Sequence, residues 1–372
     1  MYPRTSSRPS RRPGRVPALV PALALAWILT AGTAPDARAQ TASPPGAVYS
    51  DAVPSSTVVE LPTRYAAGRF YVTPVTSAGD TVAFYTDTGG GASMIFPSTV
   101  DALGLESREL VFRGDTARLA APPVWKSEAA IPAPALLPPA GPWMLVRQPE
   151  HSMAGDGFLG RTWFAGRVWL FDYPGESLGR VLGYDASVLP AEHRVPLGYQ
   201  TNPAGRRTTH FPRVEVEVDG ESLDLLFDTG ATVNVGDESL RKLDDGGPAV
   251  RASSFIVRSV YERWRERHPG WRVLEGADSN FGEPMIEVPE LSVAGHTVGP
   301  VWFAVRPDGN FRDDMSRWMD REIDGALGGS ALRYFRVLVD YPSATAFFLR
   351  PGDLAADAGE SPSGPAGAGE DR

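Results

Sequence analysis

Two stretches decide how this chain is read: Thr81-Val82-Ala83-Phe84-Tyr85-Thr86-Asp87-Thr88-Gly89 and Leu223-Asp224-Leu225-Leu226-Phe227-Asp228-Thr229-Gly230. Each is a short apolar run that ends in Asp-Thr-Gly. Upstream, each faces an alternating run across a turn. Arg69-Phe70-Tyr71-Val72 leads to Gly79-Asp80, and Arg213-Val214-Glu215-Val216-Glu217-Val218 leads to Asp219-Gly220. Period-two alternation broken by Gly and Asp predicts a β-hairpin at both places. Downstream, short helices are predicted from near Ser98 and Asp237, with these residues as N-caps. Farther on, Asp156-Gly157-Phe158-Leu159-Gly160 answers to Asp324-Gly325-Ala326-Leu327-Gly328. From these two starts both copies reach Asp-Tyr-Pro after the same number of residues, at 172–174 and 340–342.

A single Asp-Thr-Gly is an ordinary turn. The same features twice, in the same order, describe an internal duplication in which one supersecondary unit is used twice. The folded region then divides into a first lobe over 58–190 and a second over 191–351, and the second carries an insert of roughly 25–30 residues. Within that insert Ile256, Val260 and Trp264 recur at helical spacing, which predicts an amphipathic helix packed on the lobe.

On these residues the chain resembles the pepsin/retropepsin-type aspartic proteases, with both lobes in one polypeptide. In that family each lobe presents an Asp-Thr-Gly loop, and a later apolar-apolar-Gly segment threads behind it. Phe158-Leu159-Gly160 and Ala326-Leu327-Gly328 match that segment. The absence of cysteine and the Asp-Thr-Gly-Ala form at Ala231 place the resemblance nearest the bacterial retropepsin-like group. It implies an all-β, bilobal, pepsin-like acid protease fold, two β-barrel-like lobes with the cleft between them. It also implies a protein or peptide substrate, and with both half-sites in one chain a monomer suffices for activity.

The chemistry agrees with the duplication. Two carboxyls held together cannot both ionise easily, so they share one proton. The ionised member serves as base on water and the protonated one polarises the scissile carbonyl. Asp87 and Asp228 are the expected catalytic pair. Gly89 and Gly230 permit tight turns at the loops. By the resemblance, Thr88 and Thr229 brace one loop against the other. An inactive peptide-binding protein of the envelope on the same scaffold is the alternative, because the first loop departs from the family pattern. Tyr85-Thr86 stands where two aliphatic residues are usual, and Gly90-Gly91 where pepsin-like enzymes carry Ser or Thr. The missing hydroxyls predict an optimum in mild rather than strong acid. Residues 101–150 contain no Tyr for a flap; Trp125 and Trp143 are the aromatic candidates there.

Composition sets the outer bounds. With 42% hydrophobic and 22% charged residues the chain is globular, and its 39 Gly and 35 Pro favour short strands joined by turns over long helices. Zero cysteines exclude disulfides, thiolate metal sites and cysteine nucleophiles. The five histidines lack a metal-ligand spacing, so neither a metal nor a cofactor is expected. Residues 1–39 read as a signal peptide. Five arginines precede an apolar run, and Ala37-Arg38-Ala39 offers a cleavage site. Removing them takes away six Arg and one Asp and moves the formal net charge from −9 to −14. A field of that sign does not attract nucleic acid. The chain is expected to be exported, periplasmic or extracellular, with no membrane attachment after cleavage; an uncleaved signal would leave it anchored. Residues 40–57 read as a flexible lead-in and 352–372 as a disordered tail.

Overall fold

The computed structural model describes residues 47–49, 56–112, 115–128, 130–135, 141–148, 155–350 and 353. The signal peptide expected at 1–39 lies outside the described residues, as does nearly all of the 352–372 tail. The lead-in differs from expectation where it is described. Ala47–Tyr49 is a strand, paired antiparallel to Thr57–Glu60. That pairing satisfies the edge of a sheet which would otherwise present unpaired backbone groups.

The architecture is all-β and bilobal, as the sequence implies. An eight-stranded sheet belongs to the first half and runs from Thr63–Ala66 at one edge to the hairpin Ser107–Phe112/Asp115–Ala120 at the other. A nine-stranded sheet belongs to the second half, with Gly325–Leu327 between Ser254–Val257 and Glu221–Phe227. A third sheet of seven strands takes members from both halves. At its centre Val168–Asp172 pairs antiparallel with Arg336–Asp340, in the register Val168↔Asp340, Leu170↔Leu338, Asp172↔Arg336. Leu338 is the repeat counterpart of Leu170, counting from Asp156 and Asp324. The local twofold axis therefore passes through the Leu170–Leu338 pair. The Asp-Tyr-Pro motifs end these two strands. Asp172 Oδ1 accepts from Gly175 N at 2.8 Å, and Asp340 Oδ1 from Ser343 N at 2.9 Å. Each carboxylate thus closes the turn into the next strand.

Apolar alternation explains the burial. In Arg213–Val218, Val214, Val216 and Val218 face inward while Glu215 and Glu217 stay exposed. The core is continuous beneath both lobes: the Phe171 ring lies 6.2 Å from Phe70 and 6.0 Å from Phe227, and Phe227 lies 6.4 Å from Phe348. The helices start differently from expectation. Pro97–Ala102 begins on its proline after Phe96, and Asp237–Leu243 follows Gly236, with no side-chain cap at either. Proline's fixed φ and missing N–H suit the first helical position, and Asp237 and Glu238 meet the positive end of their helix from inside its first turn. In the insert, Arg258–Arg267 is helical and buries Val260, Tyr261 and Trp264. Ile256 belongs to the strand before it, paired with both neighbours. Among the described residues no helix is long and apolar enough to cross a membrane.

Candidate active site

The two Asp-Thr-Gly loops are built alike from neighbouring strands. Phe84–Thr86 runs parallel to Gly157–Leu159, and Leu225–Phe227 runs parallel to Gly325–Leu327. The ladder continues one residue past each strand. Asp87 N donates to Leu159 O and Asp228 N donates to Leu327 O, both at 3.0 Å. The chain then turns back, with Gly90 N on Asp87 O at 3.2 Å and Ala231 N on Asp228 O at 3.3 Å. The later apolar segments are thus the rails on which the aspartates are mounted, and they are fully buried, as rails between two strands must be.

The loops meet across the lobes. A Cβ on Gly89 would stand 2.6 Å from Asp228 Cγ, and one on Gly230 would collide with the Asp87 carboxyl. Each glycine therefore lies flat against the opposite lobe's carboxyl, and no larger residue fits. Beneath them the threonines interlock. Thr88 Oγ1 donates to Phe227 O at 2.7 Å and accepts from Thr229 N at 3.0 Å. Thr229 Oγ1 donates to Thr86 O at 3.4 Å and accepts from Thr88 N at 3.2 Å. Both side chains are buried, so these bonds have no competition from water.

Each carboxyl lies against the glycine of the opposite loop, which sets Asp87 and Asp228 beside one another where the two lobes meet. Both sit deep among protein atoms yet keep part of their surface open to solvent. Burial holds both above the usual carboxylate range; for Asp87 the neighbouring Asp228 charge pushes further in the same direction. Their surroundings differ. Asp228 Oδ1 accepts from Gly230 N at 2.8 Å, and the backbone of Ala231 and Gly89 also favours its anion. For Asp87 the backbone of Gly90 and Gly89 favours the anion, while its Oδ1 is buried without a partner among the described residues. Two buried carboxyls set this close titrate as a pair, and one shared proton is easier to hold than two charges.

The departures in the first loop prove to be contacts. Tyr85 reaches across the lobe boundary, its hydroxyl donating to Gly230 O and lying 2.9 Å from Thr232 Oγ1. Thr86 Oγ1 donates to Phe70 O at 2.9 Å. Gly90 is sterically demanded, since a Cβ there would stand 2.6 Å from Phe158 Cε2 and 2.8 Å from Asp87 Cγ. Tyr85 and Thr232 were not legible as site residues. The only signal was a polar-tipped ring where the alternation calls for an inward aliphatic one. Trp125 packs edge-on against Phe84 at 5.9 Å, and Trp143 lies under the Arg108 guanidinium at 4.3 Å. Both contacts are accounted for without a flap.

Among the described residues one trio brings metal-ligand atom types together: His193, His296 and Asp353, with ligand atoms within 4.8 Å of one another. Sequence spacing hides it, because the three come from distant segments. Each already has a protein partner: Ala294 O for His193 Nδ1, Phe348 O for His296 Nε2, and Arg350 N for the Asp353 carboxylate.

No protein-family model and no curated protein matches the chain significantly. Among solved structures the chain is similar to the aspartic proteinase from Irpex lacteus, with 12% sequence identity over 80% of this chain and 99% of that one, at a TM-score of 0.41.

Proposed function

We propose that the chain is an aspartic endopeptidase of the bacterial retropepsin-like kind, with Asp87 and Asp228 as its catalytic residues and lobes of 58–190 and 191–351 around them. One observation carries the reading: two carboxyls from duplicated loops each lie against the other loop's glycine over a reciprocal threonine brace. A water held between them loses its proton to the Asp228 carboxylate as its oxygen bonds to the scissile carbonyl carbon. The carbonyl oxygen takes the proton of Asp87. When the C–N bond breaks, Asp228 returns its proton to the leaving amine. Asp87 recovers one from the diol hydroxyl that becomes the new carboxyl. Water is consumed and the pair again holds one proton. Thr88, Gly89, Thr229 and Gly230 fix the geometry on which this exchange depends. No step calls for a metal, a cofactor or a second chain. Action outside the cytoplasm follows if residues 1–39 are removed as a signal.

The test is cleavage of a denatured protein and a peptide library by the chain lacking residues 1–39. Asp87→Asn and Asp228→Asn serve as controls, together with a statine-type inhibitor. Each substitution is expected to lower kcat by roughly a thousandfold or more. Activity that survives either one refutes the assignment.

A further inference from the structure

Arg161 follows directly on Gly160, and its backbone N–H donates to Gly90 O in the first active-site loop at 3.1 Å. Its side chain is 7% exposed. Nη1 is buried without a hydrogen bond, and among the described residues no carboxylate forms an ion pair with the guanidinium. What it touches is the face of Phe211, 4.3 Å from Cζ. Burial alone pushes its pKa down to about 10. The residue before Phe211 is His210, whose Nδ1 is likewise buried and unpaired. Its pKa is pushed down to about 4, by burial first and then by the charges of Arg161 and Arg207, so the imidazole is neutral and can donate one N–H.

An unpaired buried cation costs several kcal/mol, and such groups are otherwise paired. Among the described residues, a Cβ built on Gly91 would find Arg161 Nη1, at 3.9 Å, as its only neighbour within 4 Å. The volume beside Gly91, next to the loop that carries Asp87, thus ends at the guanidinium, whose Nη1 is closed off from solvent.

We propose that Arg161, assisted by His210, is a carboxylate-binding subsite, and that the favoured substrate carries a carboxylate near the bond cleaved. The proposal rests on the endopeptidase reading and gives it a substrate class. A carboxylate would meet the planar guanidinium over the Phe211 ring, and a hydrogen bond between charged groups in a desolvated site is among the stronger ones. The mature chain's net charge of −14 does not select acidic peptides, so the preference has to be local. The carboxylate has two sources, an acidic side chain or the free C-terminus of a short peptide.

Fluorogenic peptides differing only as Glu or Gln at each of three positions on either side of the bond separate these sources from free-acid and amide C-terminal pairs. The expected result is at least a tenfold preference in kcat/KM for one carboxylate placement, carried by KM. It should be abolished in Arg161→Met and partly kept in Arg161→Lys. Arg161→Met is expected to be at least as stable as the parent, which a purely structural arginine would not allow. Should it fail to fold, Gly91→Asp places a tethered carboxylate in the same volume and is expected to erase the preference. Equal rates for every acidic and neutral pair, or a preference that survives Arg161→Met, overturns the subsite. If the parent cleaves no peptide, the endopeptidase reading fails by itself. Calorimetric titration of the Asp228→Asn protein with the same peptides then decides the subsite. Tighter acidic binding that Arg161→Met abolishes upholds it, and equal binding overturns it.

Discussion

Replacing Thr88 by valine removes one hydroxyl and nearly keeps the side chain's shape. That hydroxyl is donor to Phe227 O at 2.7 Å and acceptor from Thr229 N at 3.0 Å. Neither group can turn to water, because Thr88 and Thr229 are buried at 0% and 1% exposure. A buried polar group left unpaired costs about 1–3 kcal/mol, so the two together cost about 2–6 kcal/mol. Thr229→Val breaks bonds of 3.2 and 3.4 Å, at the long end of the hydrogen-bond range. Its cost is correspondingly smaller, about 1–2 kcal/mol. Thr88→Ser keeps the hydroxyl and loses one methyl, about 1 kcal/mol. Urea unfolding of the three variants at one pH measures these differences, provided the slopes stay constant. Peptide cleavage measured in parallel should fall in the same order, since loosening one loop by about an ångström costs on the order of a hundredfold in rate. A Thr88→Val protein as stable as the parent, or a Thr229→Val protein less stable than it, would refute the reasoning that the brace is asymmetric.

Three further outcomes follow from the same geometry. Asp87 and Asp228 bind protons more tightly in the folded chain than in the unfolded one. Their contribution to stability is therefore full below about pH 4 and lost as pH rises through the pair's folded range. Asp87→Asn should be more stable than the parent at neutral pH, with the gap closing in acid; thermal melts across pH check this, and a gap that widens in acid contradicts it. Tyr85→Phe removes the bond to Gly230 O but leaves that carbonyl the Thr232 hydroxyl at 2.9 Å. The expected loss is about 1 kcal/mol of stability, with a fall in kcat and little change in KM. Arg306 pairs with Asp278 at 2.8 Å with both side chains buried. Arg306→Met should cost about 3–5 kcal/mol in urea unfolding, because it strands a buried carboxylate.

Much of the fold was legible because duplication writes every signal twice. The hairpins around Gly79-Asp80 and Asp219-Gly220, the rails at Phe158-Leu159 and Ala326-Leu327, and the aspartates between them are all local patterns with a second copy as control. What escaped has a common physical character. Tyr85 meets Gly230, Arg161 meets Phe211, and His193 meets His296 and Asp353 across chain separations that no periodicity records. In sequence Gly90 stands out only as a departure from the family pattern; in three dimensions it is the residue that fits between Phe158 and Asp87. The helix starts were missed for a simpler reason. Side-chain caps were expected, and proline at 97 and the acidic first turn at 237–238 served instead.

The twofold through Leu170 and Leu338 bears on how the protein comes into being. During synthesis the first half is finished while Arg336–Asp340, the partner of its last central strand, has not yet been made. Until then Val168–Asp172 presents a bare ladder that anything extended can join. The same strand of another copy carries the matching Leu170 at its centre. Two first halves can thus couple as the two lobes do. The inherited symmetry that makes the site also makes an early, wrong partner available, and the second half completes the molecule by arriving first.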